Sequence, residues 1–599
     1  MALTTIIHEC DLCVVGGGLA GMCAALAAAR GGSQVVIMQD RPMFGGNASS
    51  EIRMWVCGSD GGDNRETGII EEIQLESLYR NPDKNYAIWD GILYGKIREE
   101  ENITPLLNCS CFDAKTEERD GERIITEITG WQTTTQRFHT VRAKYFADCS
   151  GDSILAPLTG AEYRVGREAR EEFGEKTSQE TADRQTMGMS CLIQCRRTSK
   201  PTKFIPPSWA KKMTPEAIAL RRPHMNSTSE NFWYMELGGN RDSIGDTEEV
   251  REELVALAYG MFDWIKNSGE VPDADYWSLD FLGFLPGKRE SRRMVGDYIM
   301  CQGDVLSGGQ FPDTVAYGGW PLDDHHPDGF WHHGNPNVWG RTPAPYGIPY
   351  RCLYSKNIGN LFFAGRNISM THAAMSSARV MATCALLGEA VGTAADIARE
   401  FGTSPRGVYR EHVGLLQQRL MENGCFLPRI RRHIPGFVLN AELTGEAADM
   451  EKLRNGIDRT NHIWGDEDQG VTVPLGQAVG YVFREPARIR NVHLALDSDL
   501  ARVTLPGDDC ERRHSMRANV WWEDPEKSPT MTMPGTLLKS YRIVGLTEAG
   551  EEIVLTEEDR NLLQCVNVKT DVALKELRLI PLTLWGEGEN AHILSFDAR

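Results

Sequence analysis

Residues 11–38 read DLCVVGGGLAGMCAALAAARGGSQVVIM, and their order decides the fold. Residues 11–15 are a short apolar run, the mark of a buried strand. Three glycines follow. An alanine-rich stretch over 22–30 then reads as a helix, ended by Gly31 and Gly32. Residues 34–38 form a second apolar strand. The order is strand, G-x-G-x-x-G, helix, strand, which is the βαβ setting of a dinucleotide site. Each glycine has a separate duty. Gly16 permits the tight turn, Gly18 lets a pyrophosphate approach the backbone, and Gly21 lets the helix close on the strand. The N-terminus of this helix then offers its first N–H groups and its dipole to phosphate. The second strand runs out into Gln39 and Asp40. An acid ordinarily binds the ribose hydroxyls at this point; by register Gln39 takes that place, with Asp40 next.

Two further stretches point to a flavin. In RPMFGGNASSE, residues 41–51, a Gly45-Gly46 turn lets the chain pass close to a flavin's phosphates and ribityl. In NLFFAGRN, residues 360–367, an apolar strand ends at Gly365 and is followed by a long helix over about 382–400. The N-terminus of such a helix stabilises negative charge on a flavin ring. Between them, residues 145–152 (YFADCSGD) read as a strand ending in a Ser150-Gly151 turn. A second G-x-G-x-x-G between a strand and a helix is missing, so electrons are expected to pass through the substrate and an external acceptor or donor.

The chain resembles the FAD-dependent oxidoreductases of the glutathione-reductase-like FAD superfamily. It is close to the fumarate reductase and succinate dehydrogenase flavoproteins, and closer to a group of bacterial FAD-dependent oxidoreductases. The resemblance covers about residues 8–425. It is carried by DRPMFGGNASSEIR (40–53), PGKRESRRMVGD (286–297), DTVAYGGWPLDDHH (313–326) and GRNISMTHAAMSSARVMATCALLGEAVGT (365–393). Gln39 departs from the usual acid. The resemblance implies FAD as cofactor. The cofactor contacts expected are Gly16, Gly18, Leu19, Ala20 and Gly21; Gln39, Asp40 and Arg41; Gly45, Gly46, Asn47, Ala48 and Ser49; and Cys111, Ser150 and Gly151. Late in the chain they are Gly365, Arg366, Arg379, Ala382 and Thr383.

The fold expected is α/β: a Rossmann-like FAD-binding domain with a large α+β substrate-domain insert, followed by a C-terminal all-β sandwich. The first part of the FAD domain spans 8–160, the insert 161–345, the returning FAD segment and helical connection 346–464, and the sandwich 465–599. Residues 109–147 alternate as a strand meander with a turn at Asp120-Gly121. Residues 232–237 read as a strand. Asp246 with Glu249 resembles a capping box, and Val250, Leu254, Leu257, Met261, Phe262 and Ile265 give helical spacing. After about 465 the texture turns to short alternating strands, weakly similar to galactose-binding-like jelly rolls.

Composition narrows the functional class. The chain has 599 residues and a net charge of −20, so a basic nucleic-acid footprint is excluded. It contains 15 cysteines, an odd number scattered over a long chain, which reads as reduced thiols in a cytosol. No 18-residue apolar run is present, so no membrane span is expected. A homo-oligomer is compatible with all of this. A flavin site needs a hydride path, an acid or base, and cations to polarise substrate. His372 follows the Gly365 turn. The run over 288–293 offers Arg289 and Arg292. His325 and His326 belong to a cluster with His332, His333, Asp323, Asp324 and Asp328, for which a metal site is the alternative to acid–base work. The reading is hydride transfer between FAD and a small polar substrate, a sugar, glycoside or sugar acid. Fumarate-reductase-like reduction of a C=C bond, a non-redox hydratase or isomerase, and a carbohydrate-binding protein are its rivals.

Overall fold

The computed structural model describes residues 3–61, 63–223, 225, 230–465, 467–499 and 532–599. The part of the expected C-terminal sandwich over 500–531 lies outside the described residues. The first glycine turn sits where the sequence puts it. Strand β1 (Thr4–Val15) is followed by helix α1 (Leu19–Arg30) and strand β2 (Val35–Met38). Strands β3 (Ile103–Leu106), β4 (Cys109–Arg119), β5 (Glu122–Gln132) and β6 (Arg137–Asp148) complete most of the sheet. The order is β3-β2-β1-β6-β5-β4. Pairing is parallel from β3 to β6 and antiparallel through the β4–β5–β6 meander.

The large insert carries helix α2 (Thr247–Asn267), whose six apolar positions named above are all buried. Two local readings need correction. Asp246 makes no side-chain cap to this helix. Its carboxylate instead accepts the Asp242 N–H at 3.2 Å. Residues 232–237 are a strand only over Glu236–Leu237. Phe232 stands at φ +58 and its carbonyl accepts the Met235 N–H, so the aromatic run begins as a turn. Further along, strands β7 (Leu322–His325) and β8 (Asn337–Gly340) form a short antiparallel pair.

Strand β9 (Leu361–Phe363) returns to the sheet, parallel to the end of β6. Helix α3 (His372–Ala378) and helix α4 (Met381–Phe401) follow. By length and composition α4 could cross a membrane, yet it is buried inside the protein. Its partner is α1, and small residues set their distance. A Cβ on Gly388 would meet the Ala20 carbonyl oxygen at 2.0 Å, and one on Gly392 the Ala24 carbonyl oxygen at 2.1 Å. The alanine-rich α1 and the glycines of α4 therefore let two backbones touch over the sheet.

The C-terminal strands form an antiparallel sheet around two long members, Val479–Leu496 and Cys565–Leu584. Register shifts bend the pairing between them. Its apolar core also takes in Ile434, Val438 and Leu453, upstream of the change in texture near 465.

Candidate active site

A cavity of about 1050 Å³ opens where the C-terminal ends of β1 and β6 meet the insert. Its wall at one end is the glycine turn. Gly16 holds φ +104, and a Cβ there would lie 2.3 Å from the Cys149 carbonyl oxygen. A Cβ on Gly21 would strike the Gly16 carbonyl at 1.8 Å. Gly18 differs: the nearest atom to its would-be Cβ is the Gly46 Cα at 3.9 Å, so the backbone is open for approach. Gly18 is also the N-cap of α1, with no side-chain cap and no acid in the first turn. The helix thus presents bare N–H groups and the positive end of its dipole to the cavity. Arg366 borders the same cavity with its Nε buried and unpartnered, while Nη2 donates to Asp152 at 2.8 Å. Open glycine backbone, unfilled helix donors and a spare guanidinium N–H fit a pyrophosphate-linked dinucleotide.

Most of the expected cofactor contacts border this cavity: Gly16, Gly18, Leu19, Ala20, Gln39, Asp40, Arg41, Gly45, Gly46, Asn47, Cys111, Ser150, Gly151, Gly365, Arg366 and Arg379. Gln39 is committed elsewhere, however. Its Oε1 accepts the Gly17 N–H at 2.7 Å and its Nε2 donates to the Met43 carbonyl at 3.3 Å. The amide fastens the glycine turn, and the open carboxylate at this strand end is that of Asp40. Gly21, Ala48, Ser49, Ala382 and Thr383 do not border the cavity. The Ala48 carbonyl accepts the Trp89 indole N–H, and Ser49 Oγ donates to the Gly46 carbonyl. The Ala382 N–H donates to the Cys57 carbonyl and the Thr383 hydroxyl to Glu66. Burial pushes the Cys109 and Cys111 thiols up to about 12, so they stay protonated walls rather than nucleophiles.

The other end of the cavity is polar between aromatic walls. In the β7–β8 pair, Asp323 stands opposite Trp339 and His325 opposite Asn337. Side chains two apart share a face of a strand. All four of these therefore point one way, into the cavity, which Trp55, Trp233 and Trp320 also line. His325 Nδ1 is 2.6 Å from Glu236 Oε2, and its Nε2 is 3.4 Å from Asp323 Oδ1. Burial works against the Glu236 charge, but Arg289 and His325 outweigh it and hold the carboxyl below its usual range. The Asp323 carboxyl is likewise held well down by His325 and Arg379 against its burial. Glu236 and Asp323 are thus ionised carboxylates on either side of the ring, Glu236 within hydrogen-bond distance of Nδ1 and Asp323 further from Nε2. Arg289 is ion-paired with Glu236 at 3.4 Å and donates to Ser190 Oγ and the Trp233 carbonyl. Arg379 pairs with Asp323 at 3.1 Å. Arg292 reaches the cavity lower down and donates to the Asp152 carbonyl.

Two candidate histidines fall outside. His372 lies behind the cavity, with Nδ1 2.9 Å from Glu290 and Nε2 2.9 Å from Asp324. Burial disfavours its charge, yet the two carboxylates outweigh burial and lift its pKa to about 10. A permanent imidazolium with both N–H groups spent is a clamp, not a base facing the cofactor. His326 is part-exposed and stacks on His332 with centroids 3.6 Å apart. His326, Asp328 and His332 place ligand atoms within 4.8 Å of one another. Imidazole lone pairs lie in the ring plane, and stacked planes do not converge on one ion. Glu236, Trp55, Trp233, Asn337 and Trp339 carry no motif, and sequence reasoning missed them. Neither 322–325 (LDDH) nor 337–340 (NVWG) alternates, so no periodic signal could have found them.

The sequence model for FAD dependent oxidoreductases matches residues 11–420. This chain belongs to that family. FAD is its cofactor, and the cavity just described has the donors and the open backbone to hold it. No curated protein matches this oxidoreductase in sequence. Among solved structures it is similar to a geranylgeranyl bacteriochlorophyll reductase-like protein from Thermoplasma acidophilum. That match has 14% identity over 70% of this chain and 86% of that chain, with a TM-score of 0.32. E. coli quinol fumarate reductase FrdA matches at 15% identity over 70% and 75%, with a TM-score of 0.27. The family 32 carbohydrate-binding module from Streptococcus pneumoniae EndoD matches 27% of this chain and 97% of its own. Its identity is 10% and its TM-score 0.19. The family membership of this FAD-dependent oxidoreductase rests on the sequence model.

Proposed function

We propose that the enzyme is a dehydrogenase that oxidises a hydroxyl-bearing carbon of a neutral, polyhydroxylated ring, a sugar or glycoside. The observation that carries this reading is charge balance at the polar end of the cavity. Arg289 is matched by Glu236 and Arg379 by Asp323. Burying a further anion or cation there would leave a charge uncompensated, which costs several kcal/mol on the order-of-magnitude scale for buried ions. A dicarboxylate of the fumarate type calls for cations free of carboxylate partners, and both arginines already have one. A neutral polyol, by contrast, can donate to Asp323 and accept from Asn337 and Arg379. Its apolar ring faces suit walls of tryptophan.

The roles then follow from position. His325, its Nδ1–H fixed by Glu236, takes the hydroxyl proton at Nε2 as the carbon is oxidised to a carbonyl. Asp323 stabilises the imidazolium that results. The chemistry supplied by FAD when bound is acceptance of the hydride that leaves the same carbon, so the hydride with its two electrons goes to FAD and the hydroxyl proton to His325. An external acceptor returns the cofactor to its oxidised form. The test is His325→Asn, measured by anaerobic rapid mixing with hexoses and their glycosides. The rate of flavin bleaching is expected to fall by roughly 10²–10⁴-fold, the usual worth of a general base. A variant that bleaches as fast as the parent removes His325 from this role.

A further inference from the structure

The polar hairpin offers two rungs, and a single ring uses only one. The inner rung is His325 opposite Asn337, which are 4% and 6% exposed. The outer rung is Asp323 opposite Trp339. Trp339 is 53% exposed although its ring borders the cavity. The two rungs are two residues apart on each strand, about 7 Å at the usual strand rise, which is of the order of one sugar unit. Trp320 continues the aromatic surface inward, with its centroid 5.6 Å from that of Trp339.

We infer that Trp339 stacks on a second ring of the substrate, so that the ligand is a disaccharide or larger glycoside whose terminal ring is oxidised at His325. This rests on the preceding reading of the same site. A large aromatic face left half in water beside a deep polar pocket is a position that a ligand covers, and its neighbour across the hairpin supplies the polar edge. Asp323 accepts the Asn337 amide N–H at 2.5 Å and the Trp320 indole N–H at 3.3 Å, which ties both rungs to one carboxylate. The register therefore delivers the first ring to the base and the second to the indole.

The experiment compares anaerobic flavin reduction by glucose, galactose and mannose with that by cellobiose, lactose and maltose. It uses the parent enzyme, Trp339→Ala and Trp339→Tyr. The readout is the ratio of second-order rate constants, disaccharide over monosaccharide, which does not depend on how much of a variant is folded. The parent is expected to favour at least one disaccharide. In Trp339→Ala the ratio should fall about tenfold, the scale of one lost aromatic stack, and Trp339→Tyr should keep most of it. Equal use of both sizes by the parent, or an unchanged ratio in Trp339→Ala, overturns the inference while the dehydrogenase reading stands. If neither size bleaches the flavin, the reading and the inference fall together.

Discussion

Two histidines in this chain have carboxylates near both ring nitrogens, and their surroundings give them opposite work. His325 opens to the cavity between Glu236 and Asp323. His372 is sealed between Glu290 and Asp324, one residue along from Arg289 and from Asp323. It therefore holds the backs of the two segments whose fronts form the polar site. Its folded pKa of about 10 lies above the ordinary 6.5. Stability from this proton is complete below the unfolded value and drains away as pH rises through the folded one. His372→Gln should cost about 1–3 kcal/mol near pH 6, since it takes a cation from buried Glu290, which keeps Arg293, and from part-exposed Asp324. The gap in melting temperature between parent and variant should close as pH approaches 10, read by thermal unfolding across a pH series. A gap independent of pH would remove the imidazolium from the explanation. The glycine turn was legible from sequence because its constraints are local. The fate of His372 was not, because its partners lie 82 and 48 residues away. Gln39 was placed at the right strand end, but its bond to Gly17 depends on the path of the turn itself.

At the scale of elements, short strands and close helices govern the site. The long helix α4 announced itself by composition, and its contact with α1 follows from glycines at 388 and 392. Gly388→Ala places a methyl against the Ala20 carbonyl, in the helix whose N-terminus faces the cavity. We expect a loss of about 1–3 kcal/mol from overpacking and a lower flavin-to-protein ratio after purification, measured by absorbance. Full flavin occupancy with an unshifted melting temperature would contradict that account. The β7–β8 pair was not legible. Four-residue strands reading LDDH and NVWG carry no apolar alternation, and the sequence treats them as loop. Only pairing shows that Asp323, His325, Asn337 and Trp339 share a face. The same limit made residues 232–237 look like one strand, when the positive φ at Phe232 breaks it.

Across the whole molecule, the sequence pattern separates a flavin-binding α/β body, an insert and a C-terminal antiparallel sheet. The change of texture near residue 465 marks where helical periodicity stops. The core of the last sheet begins earlier, because buried Arg432 reaches across to Asp597 at 2.5 Å and Asp458 at 2.8 Å. Such long-range ion pairs leave no periodic trace. The chain carries a net charge of −20, while at the polar end of the cavity Arg289 is paired with Glu236 and Arg379 with Asp323. The account stands on that balance and on a single claim, that a neutral sugar ring gives up a hydride here. The most direct measurement is an anaerobic titration of the FAD-loaded protein with neutral hexoses and glycosides, in parallel with uronic acids and unsaturated dicarboxylates. The account predicts bleaching of the oxidised flavin band by a neutral sugar or glycoside and no bleaching by the acids. Bleaching by uronic acids alone, or reoxidation of the dithionite-reduced protein by an unsaturated dicarboxylate with no response to any neutral sugar, would contradict it.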